Sequence, residues 1–163
     1  MTRPVIRATV ITVSDEVVNH TDDDRAGALA ERLLAALAVD VARMVVPDDP
    51  TQLLAAVSSA IADGSRLVMT CGGTGIGPAD RTSDAVAELL TFQIPGIAEE
   101  IRRRGIAHAA PAVVSREIAG VIVRAGEPSV FVLCAPGSRG GVQDAVDVIG
   151  PVLPYIFAEL DGR

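Results

Sequence analysis

Runs of consecutive apolar residues alternate with segments whose apolar residues recur every three to four positions, from one end of the chain to the other. Unbroken runs mark buried strands, and the longer spacing marks helices that cover them. Thr9 to Val13, Val41 to Val46, Arg66 to Thr70 and Ser129 to Leu133 read as strands, the second of them half polar through Arg43. Between the first two, Ala26, Leu29, Leu33 and Leu37 share one face of a helix expected from Asp24 to Leu37. Asp49-Pro50-Thr51-Gln52 then supplies an N-cap, a proline at the first helical position and a glutamine at the capping-box position, and Gly64 is the expected stop. Thr82 is the expected cap of a helix to Leu90, and Pro95-Gly96 opens another that ends near Arg104. Val142, Ala145, Val146 and Ile149 keep helical spacing, and after Pro151 and Pro154 a last helix runs through Leu160. The pattern is weaker around residues 110–124, where a helix is expected near Val114 to Ile118 and a short strand over Gly120 to Arg124 before a turn at Gly126-Glu127-Pro128.

Such βα alternation predicts an α/β fold, a mostly parallel sheet with helices on both faces. The 163 residues, 49% of them hydrophobic, are expected to form a single domain over residues 1–163. Sheets of this kind bind ligands in the crevice beyond the carboxyl ends of their strands. Ser14-Asp15 follows the first strand, Pro47-Asp48 the second, a loop from Gly72 the third, and a loop around Gly137 the last. All four polar segments should therefore gather at one edge.

Two of these segments have the composition of an anion cradle. Gly72, Gly73, Gly75 and Gly77 fall within Thr70 to Thr82, directly after a strand, where glycine lets backbone N–H groups approach phosphate oxygens. An ordinary βα turn uses glycine too. The second loop, Cys134-Ala135-Pro136-Gly137-Ser138-Arg139-Gly140-Gly141, leads at once into a helix whose dipole favours an anion. Two cradles point to a ligand with more than one phosphate-bearing part. Asp15, Asp48 and Asp80 at the same strand ends describe a magnesium-dependent phosphate site better than an acid–base hydrolase, because magnesium takes a few carboxylates and completes its shell with water and substrate oxygens.

Composition narrows the chemistry further. All 14 basic residues are Arg, and the absence of Lys excludes a Walker A loop and any lysyl intermediate. The glycines miss the dinucleotide-binding spacing as well. A formal charge of −7 argues against a general nucleic-acid surface. Arg102-Arg103-Arg104 is expected at a helix end, where cations oppose the dipole from a solvated face. Cys71 and Cys134 read as small buried residues, and His20 and His108 as surface histidines. With no signal-peptide pattern and no apolar run near membrane-spanning length, the expectation is a soluble, cytoplasmic protein with no membrane partner.

The order Thr12-Val13-Ser14-Asp15, Asp24-Arg25-Ala26-Gly27, Val45-Val46-Pro47-Asp48, the Gly72-to-Thr82 loop, Ile94-Pro95-Gly96, Val114-Ser115-Arg116 and Ala135-Pro136-Gly137-Ser138 resembles the MogA/MoaB family of molybdenum-cofactor biosynthesis. It is similar also to the gephyrin G domain and its plant counterpart. The resemblance implies the three-layer α/β/α fold of molybdenum-cofactor biosynthesis proteins and magnesium-dependent adenylylation of molybdopterin by ATP, giving molybdopterin-AMP and pyrophosphate. It assigns Asp48 and Asp80 as the essential acids and Mg2+ holders, with Ser14, Asp15, Gly72, Gly73, Thr74, Gly75, Thr82, Ser115, Pro136, Gly137 and Ser138 lining the nucleotide and molybdopterin pockets. A homotrimer and a separate molybdate-inserting partner protein are further implications. Ala79 stands where the family has an arginine, and Ser83 where it has a proline. Two readings follow from that departure: Arg81 substitutes for the missing arginine, or the chain is a non-catalytic molybdopterin carrier of the same fold.

Overall fold

The computed structural model describes residues 5–163. One six-stranded sheet organises the chain, with strand order β2-β1-β3-β6-β5-β4. Strands β1 (Ile6–Val13), β2 (Val39–Val46), β3 (Leu67–Cys71) and β6 (Val130–Ala135) are parallel. Strand β5 (Ile118–Ile122) runs antiparallel to β6, and the two-residue β4 (Phe92–Gln93) is antiparallel to β5.

Burial explains why these segments are strands. β3 and β6 are buried at every position, as a central strand covered on both faces must be. Their alternate side chains divide between two cores. Ala8, Val10, Leu67, Met69, Phe131 and Leu133 pack with α2 (Arg25–Ala35), α5 (Pro95–Ile106), α6 (Arg139–Ile149) and α7 (Leu153–Leu160) on one face. Ile11, Val13, Val68, Val130 and Val132 pack with α3 (Pro50–Ala62) and α4 (Thr82–Ala87) on the other. The molecule is thus three layers, α/β/α, as the sequence implied.

The caps read from the sequence are largely in place. Asp24 accepts a hydrogen bond from the N–H of Gly27 at 2.9 Å, Asp49 from Gln52 at 3.1 Å, and α3 ends before Gly64 at φ +92°. Thr82 is a correction: it is the first residue of α4 and buried, while Arg81 holds the cap position without a side-chain bond. That helix stops at Ala87 rather than Leu90, because the chain must turn for Thr91 to donate to the Val121 carbonyl and for β4 to pair. The expected helix near Val114 to Ile118 is also corrected. A 3-10 turn occupies Ala110–Val114, Ser115 is extended, and β5 begins at Ile118. Gly120 permits that arrangement, since a Cβ there would lie 2.5 Å from the Phe92 carbonyl oxygen.

Candidate functional site

β1 and β3 are neighbours that the chain leaves in opposite directions, from β1 to β2 on one side and from β3 to β4 at the far edge, and the loops after them open a crevice at their carboxyl ends. Ser14 and Asp15 enter the crevice from β1. Ser14 caps the short α1 (Asp15–Val18) by accepting from the Val17 N–H at 3.3 Å, and its own N–H donates to the Val46 carbonyl at 2.9 Å. Asp15 and Asp48 are locked reciprocally: the Asp15 N–H donates to an Asp48 carboxylate oxygen at 3.1 Å, and the Asp48 N–H to an Asp15 carboxylate oxygen at 2.9 Å. The ends of β1 and β2 are held in register by the acids themselves.

The glycine loop is bent by its own side-chain contacts. Gly72 and Gly73 sit at φ +110° and +68°, and a Cβ on Gly72 would lie 2.5 Å from the Val13 carbonyl oxygen. A Cβ on Gly73 would overlap the Thr82 hydroxyl, which explains why Thr82 is buried rather than free to cap. Asp80 accepts the N–H of Gly77 at 2.9 Å, which turns the loop back on itself. The second cradle touches the first: the Gly72 N–H donates to the Ala135 carbonyl at 3.0 Å, and a Cβ on Gly137 would be 3.2 Å from the Gly72 Cα. Ser138 caps α6 by accepting from the Gly141 N–H at 3.0 Å.

The antiparallel direction of β5 brings its approach segment to the same edge. Ser115 Oγ lies 3.4 Å from Thr74 Oγ1, and the Arg116 N–H donates to the Thr74 carbonyl at 2.6 Å. Arg116 then braces the loop, donating to the carbonyls of Gly75 at 2.8 Å and Asp80 at 2.7 Å and pairing with Asp84 at 3.0 Å. The sequence reading did not single out Arg116 as a site residue. Its signal was the arginine directly after Ser115, but its partners lie in a distant loop. Ser83, the other departure, donates its hydroxyl to the Arg116 carbonyl at 2.5 Å and so ties α4 to the same brace.

Depressions open along the crevice among the described residues. Asp48, Ala79, Arg81 and Thr82 line a small cleft beside α3. Thr12, Ser14, Arg25, Gly137 and Arg139 line a hollow of about 280 Å³. Ser115, Pro136 and Ser138 border a cavity of about 460 Å³ between α5 and α6. The residues expected from the sequence thus share one sheet edge, although no single depression contains all of them.

Electrostatics sharpen the acidic side. Burial pushes the Asp48 carboxyl above its ordinary value, the Asp15 N–H opposes that shift, and the negative charges of Asp15, Glu16 and Asp80 reinforce it. Both cysteines are buried, and burial pushes their thiols up to about 12, which removes them as nucleophiles. His20 and His108 are exposed, as expected. Arg103 and Arg104 pair with Glu100 at the end of α5, whereas Arg102 turns inward to the carbonyls of Ser115 and Glu117, both at 3.3 Å. That inward arm corrects the expectation of a wholly solvated run. Among the described residues, no helix is long and apolar enough to cross a membrane.

Residues 9–155 match the family model described as a probable molybdopterin binding domain. A molybdenum cofactor biosynthesis bifunctional protein from Synechococcus elongatus is 39% identical over 156 residues, covering 95% of this chain and 47% of that protein. The chain spans about half the length of this relative and of a second bifunctional one from Chlorobaculum tepidum, where the share is 49%. A molybdopterin adenylyltransferase from Pyrococcus furiosus is 32% identical, covering 86% of this chain and 82% of that protein. Among solved structures, the tungsten cofactor synthesizing protein MoaB of the same organism superposes with a TM-score of 0.90 at 28% identity, covering 98% and 99% of the two chains. A molybdopterin biosynthesis protein from Mycobacterium abscessus gives 0.86 at 35% identity, with 98% of each chain covered. The ordered motifs, the three-layer fold and these matches agree over nearly the whole chain, which belongs to the molybdopterin-binding domain family of MoaB and MogA.

Proposed function

We propose that the chain acts in molybdenum cofactor biosynthesis by transferring the adenylyl group of ATP to molybdopterin. The observation that carries this reading is the edge on which two touching anion cradles meet the crowded carboxylates of Asp48, Asp15 and Asp80. An oxygen of the molybdopterin phosphate attacks the α-phosphorus of ATP. The bond from that phosphorus to the oxygen bridging the β-phosphate breaks, and pyrophosphate leaves with the electron pair. A phosphate monoester is largely dianionic near neutral pH, so the attacking oxygen brings no proton and no general base is required. The transfer therefore calls on neither His20 nor His108, although His108 borders the larger cavity. Alignment of two bound phosphates then supplies most of the rate.

In this reading the Gly72 N–H ties the first loop to the Ala135 carbonyl, Gly73 to Gly75 and Gly137 and Ser138 present their backbone N–H groups to phosphate oxygens, and the Ser14, Thr74, Thr82 and Ser115 side chains line the pockets. Arg81 takes the place of the arginine absent at Ala79, supported by its position in one cleft with Asp48 and Thr82. The charge crowding at Asp48 suits a divalent cation, and Asp48 and Asp80 would hold Mg2+. Magnesium completes its shell with water and phosphate oxygens, so two carboxylates would suffice to hold it. When bound, Mg2+ neutralises charge on the triphosphate.

Purified protein given molybdopterin, ATP and magnesium should release pyrophosphate, and Asp80→Ala should lose that activity while keeping its circular dichroism spectrum. Molybdopterin binding with no adenylylated product would replace this reading by the carrier. The proposal extends to a homotrimer, since Ile106, Val113, Val114, Val123 and Tyr155 leave apolar surface for subunits to cover. Light scattering that shows an active monomer at micromolar concentration would refute the assembly. A separate molybdate-inserting protein would take the product.

A further inference from the structure

The cavity of about 460 Å³ between α5 and α6 falls in the usual range for small-molecule sites, roughly 300–1,000 Å³. Ile101, Ala109, Pro111, Ala112 and Pro136 give it apolar walls. Glu117 also lines it. That side chain is 2% exposed, and its Oε2 is buried with no hydrogen-bond partner among the described residues. A buried acid without a partner is costly, and a core that merely needed filling would hold an apolar residue there.

The placement is enforced by the strand that follows. Ile118 packs toward α3 and α4, and Ala119 toward α5, so alternation turns Glu117 to the α5 side, where the cavity lies. Arg102 clamps the carbonyls on both sides of Arg116 but makes no ion pair with the Glu117 carboxylate among the described residues. The buried Oε2 of Glu117 is left without a partner among the described residues, and the residue lines the cavity.

We propose that Glu117 recognises the 2-amino-4-oxopyrimidine edge of a pterin ring seated in this cavity. An ionised carboxylate only accepts hydrogen bonds, and its two oxygens match two parallel N–H donors. The N3–H and 2-amino group of a pterin form that pair. Adenine places an acceptor beside its amino group, and a 2,4-dioxopteridine puts a carbonyl where the pterin has its amino group, so each sets a lone pair against the carboxylate. This assignment rests on the molybdopterin reading of the site and deepens it: the pterin occupies the cavity, which leaves the adenine to the other depressions.

Fluorescence titration with pterin, lumazine (the 2,4-dioxo analogue) and adenosine tests the assignment. Wild-type protein should bind pterin about five- to hundredfold more tightly than either comparator, the range for one bidentate pair. Glu117→Gln offers one acceptor and one donor, a pair that the N3–H and 4-oxo group of pterin and of lumazine complement alike, so the preference for pterin should be lost. Glu117→Asp keeps the carboxylate one methylene further back and should weaken pterin binding without abolishing the preference, a result that stands even if the glutamine variant folds poorly. An unchanged pterin-to-lumazine ratio in Glu117→Gln, tighter binding of adenosine, or no saturable pterin binding up to millimolar concentration would overturn the proposal. Pyrophosphate release by the wild type, measured alongside, separates that failure from failure of the transferase reading.

Discussion

Replacing Arg116 with alanine removes the brace that joins the glycine loop to the β5 approach. Two bonds from its guanidinium to the carbonyls of Gly75 and Asp80 are lost, together with the pair to Asp84. Hydrogen bonds to a charged donor contribute about 1.5–3 kcal/mol each, and an exposed ion pair about 0–1 kcal/mol. The Arg116 side chain is 37% exposed, and the released carbonyls belong to half-buried residues that water can reach. Screening and rehydration therefore hold the total to about 3 kcal/mol, which lowers Tm by about 6–12 °C for a domain of this size. The functional cost should exceed the stability cost, because Asp80 hangs on the same loop. A displacement of about 1 Å at a positioned group costs roughly a hundredfold in rate. Pyrophosphate release should thus fall mainly in kcat with KM little changed, and Arg116→Lys should recover part of Tm but little of kcat, since an ammonium cannot span both carbonyls. A variant with wild-type kcat and Tm would show that the loop holds its shape without Arg116.

Three further outcomes are expected. Asp48→Asn should melt higher than wild type at pH 7 while losing transfer: the native carboxyl binds its proton more readily than the unfolded chain, so ionising it costs stability as pH rises from about its ordinary 3.8 through the raised value, and the difference should vanish below that range in melts across pH. Gly72→Ala forces a side chain into φ +110° and against the Val13 carbonyl, so urea unfolding should show a loss of at least about 2 kcal/mol, and a smaller loss would mean the loop relaxes. With both thiols pushed up to about 12 by burial, a disulfide dye at pH 8 should label Cys71 and Cys134 only in denaturant; fast native labelling would contradict their burial.

The strands were legible because burial on two faces writes a nearly continuous apolar run, and β3, broken only by Thr70, and β6 are buried at every position. The entry to α3 was legible because Asp49 and Pro50 act locally, and the gathering of Ser14, Asp48, Gly72 and Gly137 at one edge follows from parallel strands alone. What could not be read depends on contacts between segments far apart in the chain. β4 is two exposed residues that exist because Gly120 lets a neighbour approach. Thr82 looks like a cap in sequence but is claimed by Gly73, and the 3-10 turn before Ser115 has no periodicity of its own. Arg116 and Glu117 drew no attention as site residues for the same reason: the loop one braces and the cavity the other lines are assembled only by the reversed strand.

That reversal also decides where the protein can tolerate added chain. With β5 inverted, its entry lies among the loops of the candidate site, while its exit, the turn between Ile122 and Val130, lies at the opposite end of the sheet. The turn is exposed over residues 125–128, Gly126 has open space around it at φ +72°, and an Arg124–Glu127 ion pair fastens its base. Lengthening a loop costs little, about 0.6 kcal/mol per doubling. A peptide tag or a reporter inserted at Gly126 would sit at the far end from both cradles, whereas the same insertion within residues 72–82 would part the loop from its brace.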